Sequence, residues 1–303
     1  MLSLFEVNKM TAELANFIKQ NIDLINESEF DQLYQQITKE SVKTAELTEM
    51  LLDSDIDFLS FITKVPEGCF AKIKSLTSIT IPESIQMIED KAFSWCSNLE
   101  SVKLANSITH IGEGAFYLCT SLKNIDLPSN LTSLKSFVFS KCNSLRSIVI
   151  PASVVSVYSF AFKECENLTS VTFEEGSICK TINDSVFKGC KKLKTVNLPD
   201  SLETLGLETF YGCESLEDIT IGPNVKMVYS STFNNCTNLK NITIQGSITA
   251  LTDSMFATNK QLQTININIP RKEFIARFGS KQWYQELKKR GTVKINCVDG
   301  TLE

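Results

Sequence analysis

Histidine is nearly missing from this chain: 303 residues contain one, His110. A Ser–His–Asp triad would have to centre on that ring, and no nucleophile motif accompanies it. His110 therefore reads as a surface residue beside a core strand. No two cysteines stand as C-x-x-C, the short pair typical of structural zinc sites. Asp53, Asp55 and Asp57 lack the spacing of an EF-hand loop and read as a solvated turn. Gly112 and Gly114 fall in a turn before Ala115 and Phe116 and make no phosphate loop. A basic excess is also lacking. Thirty Lys and Arg against 35 Asp and Glu give a net charge of −5, which offers no support for a nucleic-acid partner. No run of eighteen apolar residues occurs, so no membrane span is predicted. The opening MLSLFEVNKMTAELANFIKQ has no basic region followed by a long apolar core and does not read as a Sec signal peptide. A cytoplasmic location is favoured on that ground, with export by a non-Sec route as the alternative. Catalytic residues, metal ligands and cofactor sites are not predicted.

What the chain has is a repeat. Phe70, Phe93, Phe116, Phe139, Phe162, Phe187, Phe210, Phe233 and Phe256 are each 23 residues apart, except for 25 between Phe162 and Phe187. A fixed period in the twenties is the mark of a solenoid, in which each coil contacts only its neighbours. Within a coil, an alternating apolar pair predicts a short half-buried strand: Val102/Leu104, Ile125/Leu127, Ile148/Ile150, Val171/Phe173, Val196/Leu198 and their equivalents. Pro82, Pro128, Pro151 and Pro199 follow such pairs and end the strand. A second apolar pair comes next, such as Ile85/Ile88. Then come a small or β-branched residue, the phenylalanine, a cysteine three further on, and a leucine three beyond that. The two extra residues within Glu174–Ile182 are expected to bulge as a loop and leave the stack unbroken.

The array is predicted over residues 55–268, as about ten coils of 23 residues. Ile56/Phe58 and Val65 make its degenerate first coil. Residues 1–54 read as helices, with Leu14, Phe17, Ile18, Ile22 and Ile25 on one face, that cap the apolar first coil or form a partner-binding module. Residues 269–303 read as a C-terminal cap, with a helical pattern around Phe274, Ile275, Phe278, Trp283, Tyr284 and Leu287, a stop at Gly291, and a last strand through Val293 and Ile295. Residues 1–63 carry twelve acids against four lysines; residues 271–290 carry seven basic residues against two acidic ones. Both ends read as solvated faces, with head-to-tail self-association as the alternative.

The pattern L-x-x-I-x-(I/L)-P-x-S-(I/L/V)-x-x-I-x-x-x-A-F-x-x-C-x-x-L, seen clearly in SLTSITIPESIQMIEDKAFSWCSNL (75–99) and SLRSIVIPASVVSVYSFAFKECENL (144–168), resembles the BspA-like, or Treponema pallidum type, leucine-rich repeats. The ending WYQELKKRGTVKINCVDG is similar to the C-terminal segment of many such proteins of gut bacteria and their phages. The resemblance implies an α/β solenoid: a curved, right-handed leucine-rich-repeat coil with a parallel β-sheet on its concave side, closed by a helical N-terminal cap and a short α/β C-terminal cap. It implies no catalytic motif. The functions it implies are adhesion and binding to other proteins.

Seven of the ten cysteines hold one repeat position, and they read as buried reduced thiols filling the core. Sequons at Asn130, Asn167, Asn183, Asn235 and Asn241 lie beside core residues and read as chance. The surface left for function is the outward row of the sheet. Lys103, Asp126, Val149, Thr172, Asn197, Thr220 and Thr243, with Asn266 at its end, read either as a solvated sheet face or as a protein-binding face, and the second is the candidate site. Glu100, Lys123, Arg146, Lys194, Glu217 and Lys240 flank it. Interface hot spots favour Trp, Tyr and Arg, and only Arg146 with Val149 approaches that chemistry. Trp95, Tyr117 and Tyr158, in other turns, are a second candidate patch. The favoured function is a non-enzymatic protein-binding scaffold; the alternative is a surface adhesin or a structural protein of a phage or host particle.

Overall fold

The computed structural model of the chain describes residues 59, 62–229, 231–252, 256 and 258–302. The helices expected within 1–54 and the strand pair Ile56/Phe58 lie outside the described residues. Over the rest, the chain is a parallel-strand β-solenoid in which each coil contributes two strands. The first ladder holds Ser78–Thr80, Ser101–Lys103, Asn124–Ile125, Ser147–Ile150, Ser170–Phe173, Thr195–Asn197, Asp218–Ile221, Asn241–Ile244 and Thr264–Ile267. Equivalent residues are in register: Ile79 with Val102, Ile148 with Val171, Ile219 with Ile242.

The second ladder corrects the sequence reading, which placed one strand in each coil. The second apolar pair also ends in a strand, from Lys64–Val65 through Met87–Ile88 and His110–Ile111 to Ala250–Leu251. These strands are two residues long. Alternation, the usual strand signal, has no room to appear over so short a stretch. Val65 stands opposite Ile88, so the degenerate first coil is in register where it is described.

The first ladder is continuous in space, but its hydrogen bonding falls into three sheets, with breaks after Asn124–Ile125 and after Thr195–Asn197. The second inward residue of those coils is Leu127 or Leu198, and both are only half-buried. Where that residue is Ile150, Phe173, Ile221, Ile244 or Ile267, the strand runs four residues, although the Ile81 coil keeps a three-residue strand and the Leu104 coil stays paired on both sides. β-branched and aromatic side chains favour the pleated conformation; leucine does so less.

The phenylalanines form a continuous stack. Phe70 and Phe93 have ring centroids 4.7 Å apart, Phe116 and Phe139 5.5 Å, Phe210 and Phe233 5.8 Å, all nearly parallel. The spacing follows the roughly 4.8 Å step of a strand ladder. All these rings are fully buried. The two-residue insertion leaves the stack intact, with Phe162 and Phe187 at 5.6 Å. Its extra chain turns at Gly176, where φ is +76°.

Backbone hydrogen bonds tie the turns together as well. The amide of Phe93 donates to the Ala115 carbonyl at 2.8 Å, and that of Phe139 to the Ala161 carbonyl at 2.8 Å. Holding this geometry puts two residues of each coil, two before and two after the phenylalanine, in the left-handed region. From Gly68 to Asn235 there are sixteen such positions, of which only four are glycine. Lys72, Trp95, Leu118 and Lys141 are among the others. The Lys72 and Trp95 amides each donate to the next coil at 2.8 and 2.7 Å, which offsets the cost of that conformation.

After the array come α1 (Arg271–Phe278) and α2 (Gln282–Arg290). Trp283 meets Phe256 edge-on at 5.4 Å and closes the aromatic column. Gly291, with φ 65°, ends α2 in a left-handed cap. Lys294–Cys297 then joins the first ladder in parallel, Ile295 opposite Ile265, and Val293 precedes it. Gly300–Leu302 returns antiparallel beside it, a strand the sequence reading lacked.

Candidate functional site

The outward row is exposed over most of its length and partly covered at its C-terminal end. Lys103, Asp126, Val149, Thr172, Asn197 and Thr220 are exposed; Thr243 and Asn266 are half-buried. Thr172 lies between Val149 and Asn197 in register, and Thr243 between Thr220 and Asn266. The C-terminal end of the row is engaged with itself. Asn266 donates to Thr243 Oγ1 at 3.2 Å, Asn296 to Asn266 Oδ1 at 2.8 Å, and Thr301 to Asn296 Oδ1 at 2.8 Å. The middle of the row carries its one exposed apolar side chain, Val149, at 51% exposure.

The flank column runs Glu100, Lys123, Arg146, Thr169, Lys194, Glu217, Lys240, one residue per coil. Lys123 pairs with Glu100 at 2.6 Å and Lys240 with Glu217 at 2.6 Å. The Lys240 hydrogen bond and charge hold the Glu217 carboxyl below its ordinary pKa. Arg146 is exposed and makes no ion pair among the described residues. It opens onto a groove of about 440 Å³ lined by Lys123, Ser144, Arg146, Asn167, Thr169 and Lys192. The sequence reading found Arg146 but missed Lys192, which lies in the turn before the strand at a position that is Asn or Ser in the neighbouring coils.

The second candidate patch is partly assembled. Trp95 and Tyr117 meet edge-on at 6.1 Å, and the contact continues through Phe137 at 6.4 Å to Phe160 at 4.8 Å. Tyr158 is elsewhere, under the ammonium of Lys135 at 5.1 Å.

The cysteines do more than fill space. Cys96, Cys119, Cys142, Cys165, Cys190, Cys213 and Cys236 each donate through Sγ to the carbonyl of the phenylalanine one coil before, at 2.8 to 3.2 Å. In the next coil Asn259 takes the position, and its amide donates to the Phe233 carbonyl at 2.9 Å. Beyond it, the Arg290 guanidinium of α2 reaches the carbonyls of Asn259 and Phe256. Burial pushes the thiols of Cys96, Cys165 and Cys236 up to about 12, and those of Cys119, Cys142, Cys190 and Cys213 well above their ordinary value. These thiols are protonated donors without nucleophilic character. Among the described residues, no three His, Cys, Asp or Glu side chains gather as a metal site.

The consensus serine and several sequon asparagines also bridge coils. Ser107, Ser153 and Ser201 hydroxyls donate to the Ile85, Leu131 and Cys179 carbonyls. Asn130 and Asn167 amides donate to the Asn106 and Asn143 carbonyls. No helix among the described residues is long and apolar enough to cross a membrane.

A family model described as a BspA type Leucine rich repeat region matches residues 63–190 and 155–277, in six copies. Among solved structures, the chain is similar to a leucine rich repeat protein of T. pallidum, with 32% identity, covering 51% of this chain and 72% of that one at a TM-score of 0.48. It is similar to a leucine-rich repeat protein from Eubacterium ventriosum, with 21% identity, covering 69% and 64% at a TM-score of 0.46. For one from Bacteroides ovatus the figures are 24% identity, 79% and 70% coverage, and a TM-score of 0.46. No curated protein matches the chain.

Proposed function

From the premise that this chain belongs to the BspA type leucine rich repeat family of solenoid scaffolds, we propose that it binds another protein through the outer row of its first ladder, without catalysis. The observation that supports the reading is that exposed Val149 sits at the centre of that row and exposed Arg146 in the flank column of the same coil. A desolvated arginine beside an apolar contact is the chemistry of interface hot spots. Elsewhere on the flank, cations such as Lys123 and Lys240 are engaged by carboxylates. The rigid ladder beneath favours binding because the row needs little ordering on association.

The test is substitution of Arg146 and Asp126, alone and together, followed by quantitative affinity purification from the native host. The reading expects a specific partner to be depleted while the unfolding midpoint is unchanged. Retention of every partner through substitutions across Lys103, Asp126, Arg146, Val149, Thr172, Asn197, Thr220 and Thr243 would refute it.

A further inference from the structure

The groove beside Arg146 identifies the chemistry of the partner, an inference that rests on the binding reading above. At each end of the flank column a glutamate neutralises the lysine of the next coil: Glu100 with Lys123, Glu217 with Lys240. Between them the column reads Arg146, Thr169, Lys194, and supplies no carboxylate. The groove that opens there is lined by three cations and three neutral polar residues, and by no acid. Lys192 is aimed by a 2.7 Å hydrogen bond to Asn167 Oδ1, which uses one of its three donors. Asn167 is itself anchored on the Asn143 carbonyl at 2.7 Å. Outside residues 1–63 the chain carries 26 Lys and Arg against 23 Asp and Glu, and the groove gathers three of those cations with no acid in its lining.

We propose that this groove receives the carboxylates of an acidic segment of a protein partner, with an apolar side chain of the same segment resting on Val149. Arginine offers a planar fork matched to a carboxylate, and Lys192 adds a point charge beside it, while Lys123 at the groove's edge is already paired with Glu100. A uniformly charged polyanion fits less well. Asp126 is exposed in the row one coil before Val149, and Glu100 borders Lys123, so an extended polyanion would meet like charge beyond the groove. A mixed acidic and apolar peptide places its carboxylates only where the cations are.

The probe is a short fluorescent peptide of alternating glutamate and leucine, read by anisotropy against the full chain. Parallel arms use a glutamine–leucine peptide, a heparin fragment and inorganic phosphate. The expected result is saturable binding of the glutamate peptide that weakens about tenfold in Arg146→Glu/Lys192→Glu. It also weakens as salt rises from about 50 to 300 mM. Lys226→Glu, an exposed change outside the groove, is expected to leave binding unaltered. The glutamine peptide binding equally well, Lys226→Glu weakening binding equally, or the heparin fragment or phosphate outcompeting the peptide would each overturn the inference. A native partner lost with Thr172→Arg but kept with Arg146→Glu/Lys192→Glu would overturn the acidic-segment inference alone and leave the row-binding reading standing. Matched circular dichroism of all variants confirms that folding is not the variable.

Discussion

Cys142 Sγ donates to the carbonyl oxygen of Phe116, 26 residues earlier, at 3.2 Å. The same bond recurs from Cys96 to Cys236, so the thiol column stitches each coil to the one before. Cys142→Ala removes a buried donor and opens a small void. It is expected to lower stability by about 1–2 kcal/mol in urea unfolding. No loss would reduce the thiol to inert filler.

The same column makes stability depend on alkaline pH. Folded thiol pKa values are raised, to about 12 for Cys96, Cys165 and Cys236, against roughly 8.5 for an unfolded thiol. Above the unfolded value the unfolded chain releases protons that the folded chain retains. Their contribution is therefore fully present below about pH 8.5 and lost as pH rises towards 12. The unfolding midpoint is expected to fall steeply across that window. Replacing several column cysteines with alanine is expected to flatten the slope, even as it lowers the plateau. An unchanged slope would contradict the assignment.

Thiol accessibility gives a separate readout. Nine cysteines are buried and Cys297 is half-buried. A thiol reagent added to native protein is expected to label Cys297 first, with the others reacting only on unfolding. Rapid native labelling of Cys119 or Cys142 would mean that the coils open far more readily than the packing implies.

Much of this was legible in the sequence because a ladder demands the same residue in every coil. The phenylalanine period predicted the stack from Phe70 to Phe233, and the extra residues near Gly176 read correctly as a loop. The thiol hydrogen bond was not legible, since a small buried residue fits the cysteine position equally well. Asn259 held the missing signal: an amide donor in that column marks a position that must donate, where a merely apolar site would reject it. Lys192 was missed for a different reason. It stands at a turn position held by Asn or Ser in the neighbouring coils, as at Asn167 and Ser215, which reads as solvated turn, and only the folded chain brings it beside Arg146.

The left-handed positions yield a contrast within one coil type. Lys72 has φ 67° and Gly212 has φ 74° at the same place, two residues after the phenylalanine. Gly212→Ala is expected to cost about 1 kcal/mol, because a side chain there must adopt a conformation it disfavours. Lys72→Gly relieves that strain and is expected to leave the thermal midpoint unchanged or raised, against a loss of about 1 kcal/mol for glycine within a strand. A clear drop with Lys72→Gly would show that the lysine side chain contributes more than its backbone costs.

Phe139 lies between Phe116 and Phe162 at 5.5 Å from each ring. Phe139→Ala is expected to cost about 3–5 kcal/mol and to break the array's cooperativity at that coil. Hydrogen exchange is expected to speed up in the flanking coils first. Uniform acceleration along the whole array would argue against coupling between neighbouring coils.

The central functional claim is that a partner sits on the outer row around Val149. The most direct measurement is photo-crosslinking in the native host from a benzophenone side chain placed at position 149, with position 178, exposed in the loop of the insertion, as control. The account predicts one discrete protein adduct from position 149, absent from position 178 and lost with Arg146→Glu. Adducts from position 178 alone, or the same set from both positions, would contradict it.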